Sequence, residues 1–228
     1  GMDAAAYGLK LVSDRTELDQ IKSDGDDIAP GETIAIMRGD ARSILIAERT
    51  MLNFLGRLSG IATLTAAFAE KIAHTKAKIV CTRKTTPGHR AIEKRAVRCG
   101  GGTSHRYGLD DAILIKDNHI AASGSIADAL RRAHAYAGHL RMIEIEVDTL
   151  EQLAEALLHK PHAVLLDNME PDLLREAVAM IDGQCLAEAS GGITLETVAA
   201  KAETGVDYIS SGALTHSASN LDLGLDIL

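Results

Sequence analysis

From residue 78 onward, short apolar runs alternate with longer amphipathic stretches, and this alternation restricts the fold more than any other feature of the chain. The runs are KIVCT (78–82), AILI (112–115), MIEIEV (142–147), AVLL (163–166), CLAEA (185–189) and YISS (208–211). Between the later runs lie IADALRRAHAYA (126–137), TLEQLAEALLHK (149–160), PDLLREAVAMI (171–181) and TLETVAAKAE (194–203), each with the 3.6-residue apolar period of a helix. Strands alternating with helices of this length predict βα units around a parallel sheet. The last four runs recur about every 21 residues, tight enough for a closed α/β barrel.

The preceding residues read differently. QIKSDGDDIAPGETIAIMR (20–38) predicts short strands punctuated by the turn pairs Asp24-Gly25 and Pro30-Gly31, a small β-rich element. Asp24, Asp26 and Asp27 lack the twelve-residue calcium loop with its closing Glu, so a solvated turn is expected there. From about Ala41 to Ala73 the apolar period is helical and predicts one long helix or a broken pair, with Gly56 and Gly60 allowing another helix to approach closely. Gly1 before Met2 reads as a cloning remnant.

Composition excludes several function classes. Aromatic residues make up 3% of the chain and Trp is absent, which argues against single strands of nucleic acid stacked on aromatic rings. A formal net charge of -8 argues against duplex binding. No apolar run approaches the roughly 20 residues of a membrane span, and no charged-then-apolar leader opens the chain, so a cytoplasmic protein with no membrane partner is expected. Cys81, Cys99 and Cys185 are widely separated, outside any zinc-ligand spacing, and are expected to be reduced and mostly buried.

Against this acidity stands one basic segment. Lys78, Arg83, Lys84, Arg90, Lys94, Arg95, Arg98 and Arg106 face a single acid, Glu93, around the run Gly100-Gly101-Gly102. A pocket for small anions explains such charge better than a nucleic-acid surface. Arg90, Lys94, Arg95 and Arg98 fall at helical spacing and are expected to be solvated or paired with acids. Arg83, Lys84, Arg106 and Lys116, with His105 beside Arg106, fall at predicted strand ends or next to the glycines, where they can hold carboxylates or phosphates. The glycine run reads as a tight turn steering His105 and Arg106.

Every apolar run ends in polar chemistry: Arg83 and Lys84; Lys116, Asp117, Asn118 and His119; Glu146 and Asp148; Asp167 and Asn168; Ser190, Gly191 and Gly192; Ser211 and Gly212. In an α/β barrel these positions converge on the C-terminal face, where such enzymes place their active sites. Glu146 and Asp167 can bind magnesium with help from water and substrate oxygens, accept bonds from sugar hydroxyls, serve as a glycosidase pair, or pair with the cationic set. The glycine loops at 190–192 and 210–213, followed by helix-start signals at Thr194 and Thr215, suit a phosphate, with His216 as a further donor. Together these groups suit a substrate with a terminal phosphate, a hydroxyl-bearing middle and a metal-bound polyanion, plus a carboxylate-rich partner. Lys116 at a strand end also leaves a Schiff-base chemistry open, as in barrel aldolases.

ERTMLNFLGRLSGIAT (48–63), TRKTTPGHRAIEKRAVRCGGGTSHRYGL (82–109), ILIKDNHI (113–120), IEIEVD (143–148), LLDNM (165–169), EASGGI (188–193) and SSGALTHS (210–217) closely resemble quinolinate phosphoribosyltransferase, also called nicotinate-nucleotide pyrophosphorylase. The resemblance implies an incomplete α/β (TIM-like) barrel of parallel strands plus a partial α/β open-faced sandwich domain. Residues 1–48 would be the remnant of the sandwich, with 217–228 returning to it, and 49–216 the barrel. Members usually carry some tens of residues before the segment that begins here, so the sandwich is expected to be partial.

The implied reaction joins quinolinate to phosphoribosyl pyrophosphate with Mg2+, releasing pyrophosphate and CO2 and giving nicotinate mononucleotide for NAD synthesis. Carried over by position, Arg83, His105, Arg106 and Lys116 would hold the quinolinate carboxylates, and Arg49 of the ERT motif would do so from a neighbouring subunit of at least a homodimer. Lys84 would face phosphoribosyl pyrophosphate, and Glu146 and Asp167 would bind its ribose and Mg2+. Ser190, Gly191, Gly192, Gly212 and His216 would take its phosphate end. Lys116, Glu146 and Asp167 are the residues expected to carry the chemistry.

Overall fold

The computed structural model describes residues 1–227; Leu228, the last residue of the expected returning segment, lies outside them. The chain opens with helix α1 (Met2–Val12), followed by strands β1 (Glu17–Gln20) and β2 (Ala35–Arg38), which pair antiparallel with Glu17 opposite Arg38. Residues 21–34 between them form a loop rather than further strand. Asp24 in that loop is no solvated turn residue: it accepts the Met2 N–H at 3.1 Å and pairs with Arg95 at 3.2 Å.

Helix α2 (Ala41–Ile72) is a single 32-residue helix, started by Asp40, whose carboxylate accepts the Ser43 N–H at 2.9 Å. It runs without a break across 48/49. Its first half closes a small core with α1 through Met2, Ala5, Leu9, Ala47, Met51 and Leu55, against which Leu18, Met37 and Leu223 also pack. Its second half places Leu58, Ile61, Phe68 and Ile72 in the main core. An 18-residue window of α2 reaches a mean hydropathy of 1.2, enough by length and composition to span a membrane, contrary to the sequence reading. Its apolar stripe is instead used within the fold. Gly60 allows a close approach, but by a segment outside any helix: a Cβ there would lie 1.9 Å from the Ser219 carbonyl oxygen.

The remaining elements are β3 (Lys78–Val80), α3 (Arg90–Cys99), β4 (Ile113–Ile115), α4 (Asp117–Ser123), α5 (Ile126–Tyr136), β5 (Ile143–Val147), α6 (Leu150–Leu158), β6 (Ala163–Asp167), α7 (Pro171–Ile181), β7 (Leu186–Ser190), α8 (Val198–Ala202), β8 (Tyr208–Ser210) and α9 (Ala213–His216). The expected helix starts are visible in the caps. Ser125 accepts the Asp128 N–H before α5, Thr149 accepts the Gln152 N–H before α6, and Pro171 stands in the first turn of α7. Helix α8 is shorter than its periodicity suggests, because Thr194 and Thr197 bond each other across a turn that uses up its first residues.

All six strands of the main sheet are parallel, in the order β3-β8-β7-β6-β5-β4. The ring suggested by the spacing is not closed: β3 and β4 are opposite edges, and beyond β3 the described residues contribute only the bridge Val80–Thr103. Six strands fall short of the eight of a full barrel. Alternation along each strand sends Ile79, Ile143, Ile145, Val164, Leu166, Ala187 and Ile209 outward into the core beneath the helices. The same alternation turns Glu144, Glu146, Leu165, Glu188 and Ser210 to the inner face. A charged inner wall inside an apolar shell is the feature that positions the site.

Candidate active site

The inner wall is organised from the bottom by His105. Its Nε2 lies 3.0 Å from a Glu144 carboxylate oxygen and 3.6 Å from one of Glu188, while its Nδ1 accepts the Arg106 N–H at 2.8 Å. Burial lowers the proton affinity of the ring, but the Glu144 hydrogen bond and the charges of Glu188 and Glu144 more than offset this and raise its pKa. Glu188 has the opposite problem. Burial and the nearby Glu144 charge push its carboxyl up to about 7, and its Oε1 is buried without a hydrogen-bond partner. The ligand atoms of the three residues lie within 4.8 Å of one another, close enough for a metal ion, but His105 Nε2 is already committed to the carboxylates.

This buried pair makes stability depend on pH. A carboxyl whose folded pKa exceeds its unfolded value of 4.5 contributes its full stability below that pH and loses it as pH rises toward 7. Melting temperature should therefore fall between pH 5 and 8 in the wild type and fall much less in Glu188→Gln, with a residual slope from His105. Equal slopes in the two proteins would show that Glu188 is not held as a buried acid.

Above this cluster stand the cations. Lys116, at the end of β4, forms an ion pair with Glu146 of β5. Arg106 donates to the Ala112 carbonyl at 3.2 Å, and burial together with the neighbouring Arg83 charge holds its pKa below the usual value. The Arg83 Nε is buried without a partner. Two crowded guanidiniums with a donor left over are an arrangement that an anion completes. The Lys116–Glu146 pair is one of the roles left open for Glu146, and it presents Lys116 as a paired cation rather than as the free amine a Schiff base needs.

The glycine loops expected to take a phosphate are equally local. Asp167 and Ser190 are neighbours in register, and the Asn168 N–H donates to the Ser190 carbonyl at 3.0 Å. Gly191 has φ +85°, and a Cβ there would stand 2.1 Å from the Asn168 side-chain oxygen, so only glycine fits. Gly192 follows with φ +59°. A Cβ on Gly212 would meet His216 Nε2 at 2.9 Å and the Lys84 side chain at 3.0 Å, which puts Gly212, His216 and Lys84 at one spot. Asp167 accepts the Asn168 amide at 2.6 Å, leaving carboxylate valence for a cation, whereas Glu146 would have to share with Lys116.

Some expectations change. Lys94 is no solvated lysine: it is 1% exposed and donates to Cys81 Sγ at 3.1 Å and to the His105 carbonyl at 3.0 Å, fixing the loop that carries His105 and Arg106. Arg90 ties that loop from the other side, donating to Thr85 Oγ1 at 3.1 Å and to the Tyr107 carbonyl at 3.1 Å. Arg95 pairs with Asp3 and Asp24, and Arg98 reaches Ser104 at 3.2 Å. The glycine run ends α3 and turns into the Thr103 bridge. Asp117, Asn118 and His119 start α4, where the His119 ring accepts the Lys116 N–H at 2.9 Å. Thr215 lies inside α9 and starts no helix, and Asp148 sits beyond β5 with its N–H bonded to Gln152. Of the three free cysteines only Cys81 is fully buried; burial and Asp207 push the Cys185 thiol up to about 11.

Arg49 is the site residue that the fold does not bring in. Its side chain is 76% exposed, and its acidic neighbour is Glu48 at 4.0 Å. Glu144 and Glu188 were not singled out from sequence, although their alternation within MIEIEV and CLAEAS is the signal that places them inward.

The comparisons agree with this architecture. The probable nicotinate-nucleotide pyrophosphorylase (carboxylating) of Bacillus subtilis is 47% identical over 220 residues, covering 96% of this chain and 76% of that protein. The nicotinate-nucleotide pyrophosphorylase (carboxylating) of Mycobacterium leprae is 50% identical over 207 residues, covering 90% and 72%. Among solved structures, the nicotinate-nucleotide pyrophosphorylase of Francisella tularensis superposes with a TM-score of 0.94 at 40% identity over 97% of this chain and 79% of that one. Family models of the N-terminal and C-terminal domains match residues 1–59 and 61–226, meeting within α2. An open barrel with a charged inner wall, matched along nearly its whole length, places the chain in the quinolinate phosphoribosyl transferase family.

Proposed function

We propose that the chain transfers phosphoribosyl from phosphoribosyl pyrophosphate to the ring nitrogen of quinolinate and releases pyrophosphate and CO2, giving nicotinate mononucleotide for NAD biosynthesis. The observation that carries the reading is the unpartnered Arg83 Nε beside the crowded Arg106, with the next residue, Lys84, meeting Gly212 and His216 after β8. Arg83, Arg106 and Lys116 hold the two carboxylates; His105, expected among them, has both ring nitrogens engaged by Glu144 and the Arg106 N–H and instead positions Arg106. Lys84 faces phosphoribosyl pyrophosphate beside Gly212 and His216, Glu146 and Asp167 face the ribose, and Ser190, Gly191, Gly192, Gly212 and His216 surround the 5′-phosphate. Arg49 reaches the carboxylates from the partner subunit of a homodimer.

Glu146 and Asp167 are also the groups that would hold Mg2+, which neutralises the departing pyrophosphate when bound. The protein's own part is positioning and charge. The ribose carbon loses pyrophosphate and gains positive character; the ring nitrogen, aligned by its clamped carboxylates, closes the new bond. The C2–carboxylate bond then breaks, its electron pair settles beside the ring cation, CO2 leaves and a proton takes its place. No protein nucleophile enters these steps.

The test is formation of nicotinate mononucleotide and CO2 from quinolinate, phosphoribosyl pyrophosphate and Mg2+, with nicotinate as control substrate. Turnover restricted to quinolinate is the expected result. Turnover of nicotinate instead, or binding of both substrates without turnover, would overturn it.

A further inference from the structure

The basic segment contains one acid, and that acid is completely buried: Glu93 is 0% exposed. Its carboxylate accepts four hydrogen bonds. Thr86 donates its N–H at 3.0 Å and its hydroxyl at 2.7 Å, and Arg57 of α2 donates Nε at 3.3 Å and Nη2 at 3.1 Å. The same Arg57 reaches onward, donating Nη1 to the Ala218 carbonyl at 2.9 Å and Nη2 to the Thr215 carbonyl. Thr215 completes the circuit by donating its hydroxyl to the Lys84 carbonyl at 2.8 Å and sits one turn from Gly212. A buried ion pair adds little net stability, because desolvation consumes most of the Coulomb gain. What this pair supplies is a fixed distance between two loops.

We infer that Glu93 and Arg57 are positioning residues that lock the Lys84–Thr86 turn to the Gly212–His216 loop, so that phosphoribosyl pyrophosphate meets one preassembled surface. Neither residue has to touch substrate. Glu93 fixes Thr86 and through it the turn after Lys84, while Arg57 fixes the carbonyls of Thr215 and Ala218, between which His216 lies. The inference rests on the assignment of these loops to phosphoribosyl pyrophosphate, and it adds that they act as a unit. It also gives the Arg57 of the FLGRLSG stretch a task that the substrate contacts leave unassigned.

Removing Glu93 itself would leave a guanidinium uncompensated in the interior and can simply unfold the chain. The circuit is better cut at its hydroxyls, with Thr86→Val and Thr215→Val alone and combined, and dissociation constants measured separately for phosphoribosyl pyrophosphate with Mg2+ and for quinolinate. Each single variant should weaken phosphoribosyl pyrophosphate binding about tenfold; quinolinate binding should weaken less than about twofold in Thr215→Val, whose loop carries no quinolinate residue, and more in Thr86→Val, whose loop carries Arg83. The double variant should lose less than the product of the two, and Thr86→Ser should recover the wild-type value. Equal weakening of both substrates by Thr215→Val would mean general loosening and overturn the inference, as would losses that multiply in full or a folded variant with unchanged phosphoribosyl pyrophosphate affinity. A wild-type chain that binds neither substrate would overturn the assignment of the loops, and the inference with it.

Discussion

Lys116→Ala is expected to lower kcat with quinolinate by about 10²–10³-fold, the size of effect seen when one preorganised electrostatic donor is lost, and to leave the fold intact. The lysine side chain is 46% exposed, so its ion pair with Glu146 is worth at most about 1 kcal/mol to stability. The local backbone does not depend on its side chain either, since the His119 ring caps α4 through the Lys116 N–H. The catalytic loss has another origin. Glu146 faces the inner wall, and without Lys116 an uncompensated carboxylate would stand where a dianionic substrate must approach. Lys116→Arg should restore only part of the rate, because a planar guanidinium cannot occupy the position of a compact ammonium. Steady-state rates together with thermal melts decide the matter: unchanged turnover would remove Lys116 from the site, and a collapsed melting transition would assign it to the fold.

The βα rhythm was legible because it is written in the outer faces of the strands, where Ile143, Ile145, Val164 and Ile209 meet helices and must be apolar. The inner faces were legible only at their ends. Glu146, Asp167 and Ser190 stand at strand termini, where chemistry is expected, whereas Glu144 and Glu188 sit one alternation deeper, in runs that read as apolar from their neighbours. Helical spacing sends a lysine to solvent by default, and only the placement of Cys81 and the His105 carbonyl makes a buried Lys94 tenable. Closure of the sheet failed for a related reason. The 21-residue repeat belongs to the last four strands, and nothing local in the long excursion from β3 to β4 states that it returns as a single bridge at Thr103. The approach of Ser219 to Gly60 spans more than 150 residues of sequence, beyond the reach of any local pattern.

Arg49→Ala should inactivate the enzyme as fully as Lys116→Ala, and mixing the two inactive proteins should restore activity. In its own chain the Arg49 side chain is 76% exposed, and residues one helical turn before it, Leu45 and Ile46, are 52% and 59% exposed. Leu and Ile beside an exposed guanidinium on one helix face form a surface suited to a second copy of the chain. If that copy supplies Arg49, a heterodimer of the two variants has one site with both defects and one with neither. Random reassortment at equal amounts then leaves about one quarter of the sites intact, and activity should return to that fraction of wild type. Subunit exchange is followed independently with differently tagged chains. Proven exchange with no recovery would put Arg49 in its own chain's site or outside the chemistry. Recovery well above one quarter would show that a site lacking Arg49 retains activity, and would reduce the arginine to a modest aid to binding.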